Sequence, residues 1–304
     1  MTPCIACLQG CVANMYAGNP VCCLTNPFLG HEAEPLEKVE EPKKVMVIGG
    51  GVAGLSAAFI AKERGHEVTL YEAGDVLGGN MRLAAYPPGK GDITNMIRSY
   101  IHRCQKDGVK IVMNCEVTPE LIKEEKPDSV IIATGSKTLI LPIEGIDNPA
   151  IIHGSDLLDG KRAAGKKVLV VGGGMVGCET AAFLGEQEHD VTVIEFRDTV
   201  GADVIHEHRV YLMKDFEDYG IKEITGAKVC KFYEDGVEYE TADGVRHESR
   251  GYDSVILSMG FRNYNPLEEK IKDLVPETHV IGDAIRARRA LDATKEAYEV
   301  ASRI

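Results

Sequence analysis

The residues best suited to chemistry are four cysteines near the start of the chain, Cys4, Cys7, Cys11 and Cys23, spaced Cx2Cx3Cx11C. Four thiolates from one short segment can hold a [4Fe-4S] cluster, and tetrahedral zinc sites also use close CxxC pairs. A dithiol that exchanges disulfides is a third interpretation, but it leaves Cys11 and Cys23 without a role. The spacing therefore predicts a metal centre that organises residues 1–33.

A glycine-rich turn follows, in which Gly49, Gly51 and Gly54 form a GxGxxG pattern between an apolar strand pattern and a helical one. The first glycine permits the tight bend, the second lets a pyrophosphate approach the backbone, and the third allows close packing of helix on strand. Glu72, at the end of the next predicted strand, is placed to accept hydrogen bonds from a ribose. The pattern predicts a dinucleotide site.

The same pattern recurs later in the chain with Gly172, Gly174 and Gly177, and its second strand ends at Glu195. A carboxylate there would bind a 2'-hydroxyl and repel a 2'-phosphate, which favours NADH over NADPH. Arg197 weakens this preference, because it would suit a 2'-phosphate if Glu195 turned away. Two such units predict an α/β fold with two Rossmann-like domains.

Composition excludes several classes of protein. A formal net charge of -13 disfavours binding to nucleic acid or to an anionic membrane surface. The longest uncharged stretch, residues 45–61, contains four glycines and fits a strand, turn and helix better than a membrane span. With no export signal expected, nine cysteines indicate a reducing cytoplasm.

Three further motifs accompany the two turns: Ala133-Thr134-Gly135, Ser258-Met259-Gly260 and Gly282-Asp283. With them, residues 45–304 resemble the two-dinucleotide-binding-domain flavoproteins. The resemblance implies that the first unit binds FAD, that the second is inserted and binds the nicotinamide nucleotide, and that Glu179 lies near the nicotinamide. The residues that it implies for FAD are Gly49, Gly51, Gly54, Glu72, Gly79, Asn80, Gly135 and Asp283.

We expect four segments: an iron-sulfur segment and linker over 1–43, a first part of the FAD domain over 44–150, an inserted NAD(H) domain over 151–260, and a second part of the FAD domain over 261–304. Within the first segment, CIACLQGC and CLTNP resemble the iron-sulfur segment of the 2,4-dienoyl-CoA reductase and trimethylamine dehydrogenase group. That resemblance implies a [4Fe-4S] cluster. The spacing makes Cys23 the fourth ligand and leaves Cys22 over.

Members of that group carry an FMN-binding (β/α)8 barrel ahead of the cysteine segment. This sequence has only three residues before Cys4, so we expect the barrel to be a partner subunit or a missing domain. The resulting hypothesis is an electron-input module that passes electrons from NADH through FAD and the cluster to FMN, with no catalytic side chain of its own. The alternatives are a structural module that holds ADP, as trimethylamine dehydrogenase does, and a self-contained NADH:acceptor oxidoreductase.

Other potential ligands are expected to be structural. His206 and His208 are two positions apart on a predicted helix and do not share a face, so we expect a solvated surface there. The dispersed cysteines are expected to be small buried hydrophobic residues. They are Cys104, Cys115, Cys178 and Cys230.

Overall fold

The computed structural model describes residues 2–304, so Met1 lies outside the described residues. The predicted α/β class with parallel sheets is confirmed. The chain divides into two compact units, and the second is inserted between segments of the first. The first unit runs to Ala85 and includes Asp92–Lys137 and Arg262–Ile304; the second comprises Tyr86–Gly91 and Thr138–Phe261.

Short strands supply the framework of both units, and most of those in the parallel sheets are apolar and buried. In chain order the strands are β1 (Lys44–Ile48), β2 (Glu67–Tyr71), β3 (Lys110–Val112), β4 (Ser129–Ile132), β5 (Ser136–Thr138), β6 (Ile152–His153), β7 (Lys167–Val171), β8 (Asp190–Ile194), β9 (Lys222–Ile224), β10 (Lys228–Tyr233), β11 (Gly236–Glu240), β12 (Arg246–Ser249), β13 (Ser254–Leu257), β14 (Phe261–Asn263) and β15 (Glu277–Val280).

Helices connect these strands, and over residues 2–304 none is long and apolar enough to cross a membrane. A short 3-10 turn covers Gly282–Ala284. In chain order the helices are α1 (Val12–Tyr16), α2 (Val52–Glu63), α3 (Asn80–Leu83), α4 (Ile93–Asp107), α5 (Pro119–Glu125), α6 (Gly154–Leu158), α7 (Met175–Glu186), α8 (His206–Asp218), α9 (Glu268–Ile271) and α10 (Ala290–Ala301).

The first unit is built on a parallel sheet with strand order β15-β4-β1-β2-β3. Strand β1 lies at its centre, in register with both neighbours, so that Val47 is opposite Leu70 of β2 and Ile131 of β4. Helix α2 covers the sheet and is buried from Val52 to Ala61, because α4 and α10 pack against it. A continuous apolar run is what a strand or helix buried on all sides requires.

The second unit repeats this plan with a parallel sheet of order β6-β13-β7-β8-β9. Strand β7 is central, and Val170 lies opposite Val193 of β8 and Ile256 of β13. A separate antiparallel sheet, β10-β11-β12, adds a second layer to this unit. Phe232 and Val237 belong to the apolar cluster that contains Val171, and the antiparallel sheet thereby contributes to the core of the second unit.

The cysteine segment is anchored on the first unit by a few buried groups. Leu24 is 1% exposed, and the buried Tyr100 hydroxyl of α4 donates to the carbonyls of Leu24 and Thr25, at 3.1 and 3.2 Å. Phe28 stacks on Phe59 of α2 at a ring-centroid distance of 6.4 Å. Residues 24–28 therefore anchor the segment together with Ile5, which belongs to the same apolar cluster as Leu24, while no residue of α1 is buried.

Candidate nucleotide sites and cysteine segment

The first glycine turn joins β1 to α2, and packing explains two of its three glycines. Gly49 has φ of +107°, and a Cβ there would lie 2.3 Å from the Ala133 oxygen. A Cβ on Gly54 would lie 1.9 Å from the Gly49 oxygen, so only glycine lets the helix begin this close to the strand. Gly51 differs, because a Cβ there would meet nothing within 4 Å. Its open side leaves room for a ligand against the backbone.

Glu72, at the end of β2, is held against this turn. One carboxylate oxygen accepts from the Gly50 N–H at 2.7 Å, and the other accepts from the Gly74 N–H at 2.7 Å. Each oxygen keeps a lone pair for a further hydrogen bond. The carboxylate is therefore fixed beside the turn and still able to accept from a ribose hydroxyl.

The other predicted FAD residues meet at the same edge of the sheet. Asn80 follows Gly79 directly, and its side-chain amide donates to the Ser136 hydroxyl at 3.2 Å. Ser136 in turn donates to the Asp283 carboxylate at 2.9 Å. Gly135 has φ of +71°, a left-handed conformation that glycine adopts most readily. No motif of the sequence singles out Ser136 itself. Its position directly after the Ala-Thr-Gly motif is the signal that could have identified it.

The second turn joins β7 to α7 with the same geometry. A Cβ on Gly172 would lie 2.4 Å from the Ser258 oxygen, and one on Gly177 would lie 1.8 Å from the Gly172 oxygen. Glu195 accepts from the Gly173 N–H at 2.6 Å and from the Arg197 N–H at 2.9 Å. The second carboxylate is therefore held against its turn in the same way as Glu72.

A cavity of about 250 Å³ opens at this turn, bordered by Gly172–Val176, Glu195, Arg197 and Ser258–Gly260. Ser258 is 8% exposed, and its hydroxyl is buried without a hydrogen-bond partner among the described residues. A buried hydroxyl that lacks a partner is costly unless a ligand or water completes it. The cavity and this hydroxyl fit a polar ligand bound against the glycine turn.

Glu179 lies in the first turns of α7 and is 8% exposed. It forms an ion pair with Lys90, whose side chain is 27% exposed. Burial raises the pKa of the Glu179 carboxyl above its usual range, and the charges of Lys90 and His208 partly offset that rise. Lys90 belongs to the short excursion Tyr86–Gly91, which no sequence pattern marks as part of the second unit.

The four predicted cysteine ligands lie in one neighbourhood. Burial raises the pKa of the Cys7 thiol, and Cys23, Cys11 and Cys4 raise it further through their charges. All nine cysteines are free. Within residues 2–304 no three Cys, His, Asp or Glu side chains converge closely enough to hold a metal ion, so the ligand assignment stays a prediction.

Cys22 is engaged on other partners. Its sulfur lies 3.7 Å from the Gly10 oxygen, to which it donates, and it accepts from the Asn14 side-chain amide at 3.3 Å. A Cβ on Gly10 would lie 2.8 Å from the Cys22 sulfur, so the thiol packs tightly against the chain. The Cys23 sulfur also has a neighbour, the Thr25 hydroxyl at 3.4 Å, so the choice of Cys23 as the fourth ligand stays a prediction from spacing.

Two of the dispersed cysteines match the expectation and two do not. Cys104 and Cys178 are buried, and burial raises the pKa of each thiol to about 12, so neither is a reactive thiolate. Cys115 and Cys230 are only half-buried, which corrects the prediction for these two. Cys115 follows the edge strand β3, and Cys230 lies within the edge strand β10 where its register with β11 shifts, so neither is fully covered. His206 and His208 begin α8, His206 exposed and His208 half-buried.

Comparison with known proteins identifies the family. Residues 43–281 match the family model of the pyridine nucleotide-disulphide oxidoreductases. The chain belongs to this family. Membership implies FAD and NAD(P)H as cofactors, and it confirms the predicted enzyme class, an NAD(P)H-dependent flavin oxidoreductase.

Individual relatives agree with the family assignment. The chain is 34% identical to a cinnamate reductase of Clostridium sporogenes over 99% of its own length and 45% of the relative. It is also 34% identical to an NADH oxidase of Thermoanaerobacter brockii, over 99% of this chain and 47% of the relative. A solved structure of 2-naphthoyl-CoA reductase superposes with a TM-score of 0.93 at 32% identity, covering 99% of this chain and 46% of that one. This oxidoreductase chain therefore spans about half the length of the relatives that it matches.

Proposed function

We propose that this chain is the electron-input portion of an ene-reductase-like flavoprotein. In this proposal the second unit would bind NADH, the first unit would hold FAD, and Cys4, Cys7, Cys11 and Cys23 would hold a [4Fe-4S] cluster. Together these groups would supply a route for electrons from NADH to an FMN-containing (β/α)8 barrel. The cofactors supply the redox chemistry. The side chains of this chain bind and orient them.

The observation that carries the proposal is the pairing of two complete glycine turns. Gly51 of the first turn has open space beside it, and Gly174 of the second turn borders the cavity. In each turn the backbone N–H of the second residue fixes a strand-end carboxylate. Two equivalent sites in one chain fit a pair of dinucleotides, one donating and one receiving a hydride. If the second turn served packing alone, it would not need a carboxylate, Glu195, fixed beside it.

The cysteine segment fits a cluster better than a zinc ion. Zinc has no redox chemistry and cannot carry an electron, whereas this chain belongs to a family of oxidoreductases. A cluster held by four thiolates can accept and donate electrons. The four cysteines are close enough for the charges of Cys4, Cys11 and Cys23 to raise the pKa of the Cys7 thiol.

Residues of the first unit hold FAD in this proposal. Glu72 accepts from the adenosine ribose, and the open side of Gly51 admits the pyrophosphate. The hydrogen-bonded series Asn80, Ser136 and Asp283 provides polar contacts for the ribityl or pyrophosphate portion. In the second unit Glu195 binds the ribose of NADH.

The length of the relatives supports the proposed partner. Cinnamate reductase and 2-naphthoyl-CoA reductase are each about twice as long as the part that matches this chain. An ene-reductase-type barrel that binds FMN and an unsaturated substrate would supply the remainder, as a separate subunit or as a further domain. The predicted domain limits, 44–150, 151–260 and 261–304, belong to the same proposal. Nine free cysteines favour a reducing compartment such as the cytoplasm.

Stopped-flow mixing with NADH tests the order of electron transfer. We expect the flavin absorbance to bleach first and the iron-sulfur band afterwards. The variant Cys23→Ser should lose iron but keep the bleaching of the flavin. Cys22→Ser should keep both the iron and the flavin bleaching. A cluster that stays oxidised beside fully reduced flavin would exclude this route, and loss of iron in Cys22→Ser alone would move the fourth ligand to Cys22.

A second candidate function is a self-contained NADH:acceptor oxidoreductase. One relative is named NADH oxidase, and this chain covers 47% of its length. Native mass spectrometry of the purified complex distinguishes the two, because only the first requires a barrel that carries FMN. Turnover with a soluble acceptor by the chain alone, at the rate of the complex, would favour the second.

A further inference from the structure

An acidic side chain lies at the start of α7, inside the second nucleotide site. Asp203, in the loop between β8 and α8, accepts a hydrogen bond from the Met175 N–H at 2.8 Å. Its carboxylate also lies 3.5 Å from the position of a Cβ on Gly174. Asp203 borders the same cavity of about 250 Å³ as the glycine turn and the partnerless hydroxyl of Ser258.

In a GxGxxG turn the pyrophosphate of the dinucleotide binds against the backbone at the first N–H groups of the helix. Met175 is the first residue of α7, so its N–H is among those donors. One N–H cannot serve a carboxylate and a phosphate at full strength together. The two anions also repel each other at this distance.

We propose that Asp203 is an affinity-determining residue of the second site, competing with the pyrophosphate for the start of α7. Asp203 leaves the Met175 N–H when the nucleotide binds, and the lost contact weakens nucleotide binding. Weaker binding suits a cosubstrate that must leave after each hydride transfer. This inference rests on the proposed function, in which the second unit binds NADH.

The first site provides an internal comparison. Glu72 and Glu195 occupy equivalent places in the two turns. The residue equivalent to Met175 is Val52, the first of α2, and among residues 2–304 no carboxylate is found hydrogen-bonded to its N–H. The competing acid is therefore confined to the site proposed for the exchanging nucleotide, whereas the site proposed for retained FAD lacks one.

The loop around Asp203 allows the side chain to move. Asp203 is exposed, so rotation of its side chain disturbs no core packing. The loop backbone is tied down separately, because the Gly201 N–H donates to the Gly173 oxygen at 2.7 Å and the Val204 N–H donates to the Gly201 oxygen at 3.1 Å. The carboxylate can leave while the loop keeps its place beside the turn.

Calorimetric titration of the full chain with ADP-ribose and with adenosine tests the proposal. ADP-ribose carries the pyrophosphate, and adenosine does not. We expect Asp203→Ala to lower the Kd for ADP-ribose by roughly five- to tenfold and Asp203→Asn, which keeps a neutral acceptor, to lower it less. Adenosine binding should change by less than about twofold in either variant.

Asp198→Ala is the matched control, because it removes the same charge from the same exposed loop without touching Met175. An equal gain in Asp198→Ala would show a general charge effect and overturn the inference. Unchanged or weaker ADP-ribose binding in Asp203→Ala and Asp203→Asn would overturn it as well. If the wild-type chain binds no ADP-ribose at all, the proposed nucleotide site fails, and this inference fails with it.

Discussion

Glu195 and Arg197 make opposite contributions to the choice of nicotinamide nucleotide. Glu195 is fixed by two backbone N–H groups, so it cannot turn away from a 2'-phosphate without breaking both bonds. We expect the wild-type chain to prefer NADH. Glu195→Ala should weaken NADH binding about tenfold and reduce the preference for NADH over NADPH. The reason is that no carboxylate then repels the 2'-phosphate, which Arg197 can still contact. The Kd values for NADH and NADPH check both expectations. Arg197→Ala is the control, because it should weaken the binding of NADPH alone. A wild-type preference for NADPH would contradict the argument.

The ion pair between Lys90 and Glu179 predicts a pH dependence of stability. Because burial raises the pKa of Glu179 in the folded state, the folded chain binds this proton more tightly than the unfolded chain. Protonated Glu179 therefore contributes to the free energy of unfolding at low pH. This contribution is lost as pH rises from the ordinary glutamate pKa, about 4.3, through the raised pKa of Glu179. Glu179→Gln should remove this decline in stability.

Urea unfolding of wild type, Glu179→Gln and Lys90→Met between about pH 4.5 and 7 checks this prediction. Lys90→Met removes a charge that holds the pKa of Glu179 down, so the decline in stability should become steeper and extend to higher pH. Parallel curves for wild type and Glu179→Gln would contradict it. His208 also lowers the pKa of Glu179 and Asp203 raises it, so both are kept unchanged in these variants.

At the scale of a single element, the glycines of the first turn separate folding from ligand binding. Gly51→Ala adds a Cβ that meets nothing within 4 Å, so the FAD-free variant should have the same Tm as the FAD-free wild type, while the variant loses most of its FAD. Gly54→Ala drives a Cβ to 1.9 Å from the Gly49 oxygen, so it should lower Tm as well as FAD content. Thermal unfolding and flavin released on denaturation measure the two effects. Full FAD content in Gly51→Ala would show that no pyrophosphate lies there.

The cysteine segment depends on α4 for its position. Tyr100→Phe removes the hydroxyl that donates to the Leu24 and Thr25 carbonyls and should cost about 1–3 kcal/mol. Amide exchange of residues 23–25 should accelerate, since the buried anchor of this segment is lost. Tyr71→Phe is a control, because Tyr71 is a comparably buried tyrosine of the same unit. Equal acceleration in Tyr71→Phe would mean that general destabilisation, and not the anchor, controls the segment.

Local pattern was sufficient for some elements and not for others. Both glycine turns follow from sequence, because strand, turn, helix and strand-end acid are all close in the chain. The hydrogen bonds of Ser136 to Asp283 and of Lys90 to Glu179 could not be predicted this way, since the partners are about 90 or more positions apart. The excursion Tyr86–Gly91 and the antiparallel sheet β10-β11-β12 likewise depend on tertiary packing that no local periodicity records.

The whole chain should carry two nucleotides of different exchange behaviour. After gel filtration we expect one tightly held FAD per chain, a second site that binds and releases NADH, and reduction of a dye by NADH. The reason is structural duplication: each unit has its own parallel sheet, glycine turn and fixed carboxylate. The dye removes electrons from FAD directly, so the four variants Cys4→Ser, Cys7→Ser, Cys11→Ser and Cys23→Ser should keep this activity while losing iron. A colourless chain that binds only ADP would contradict the duplication argument and leave a structural nucleotide module.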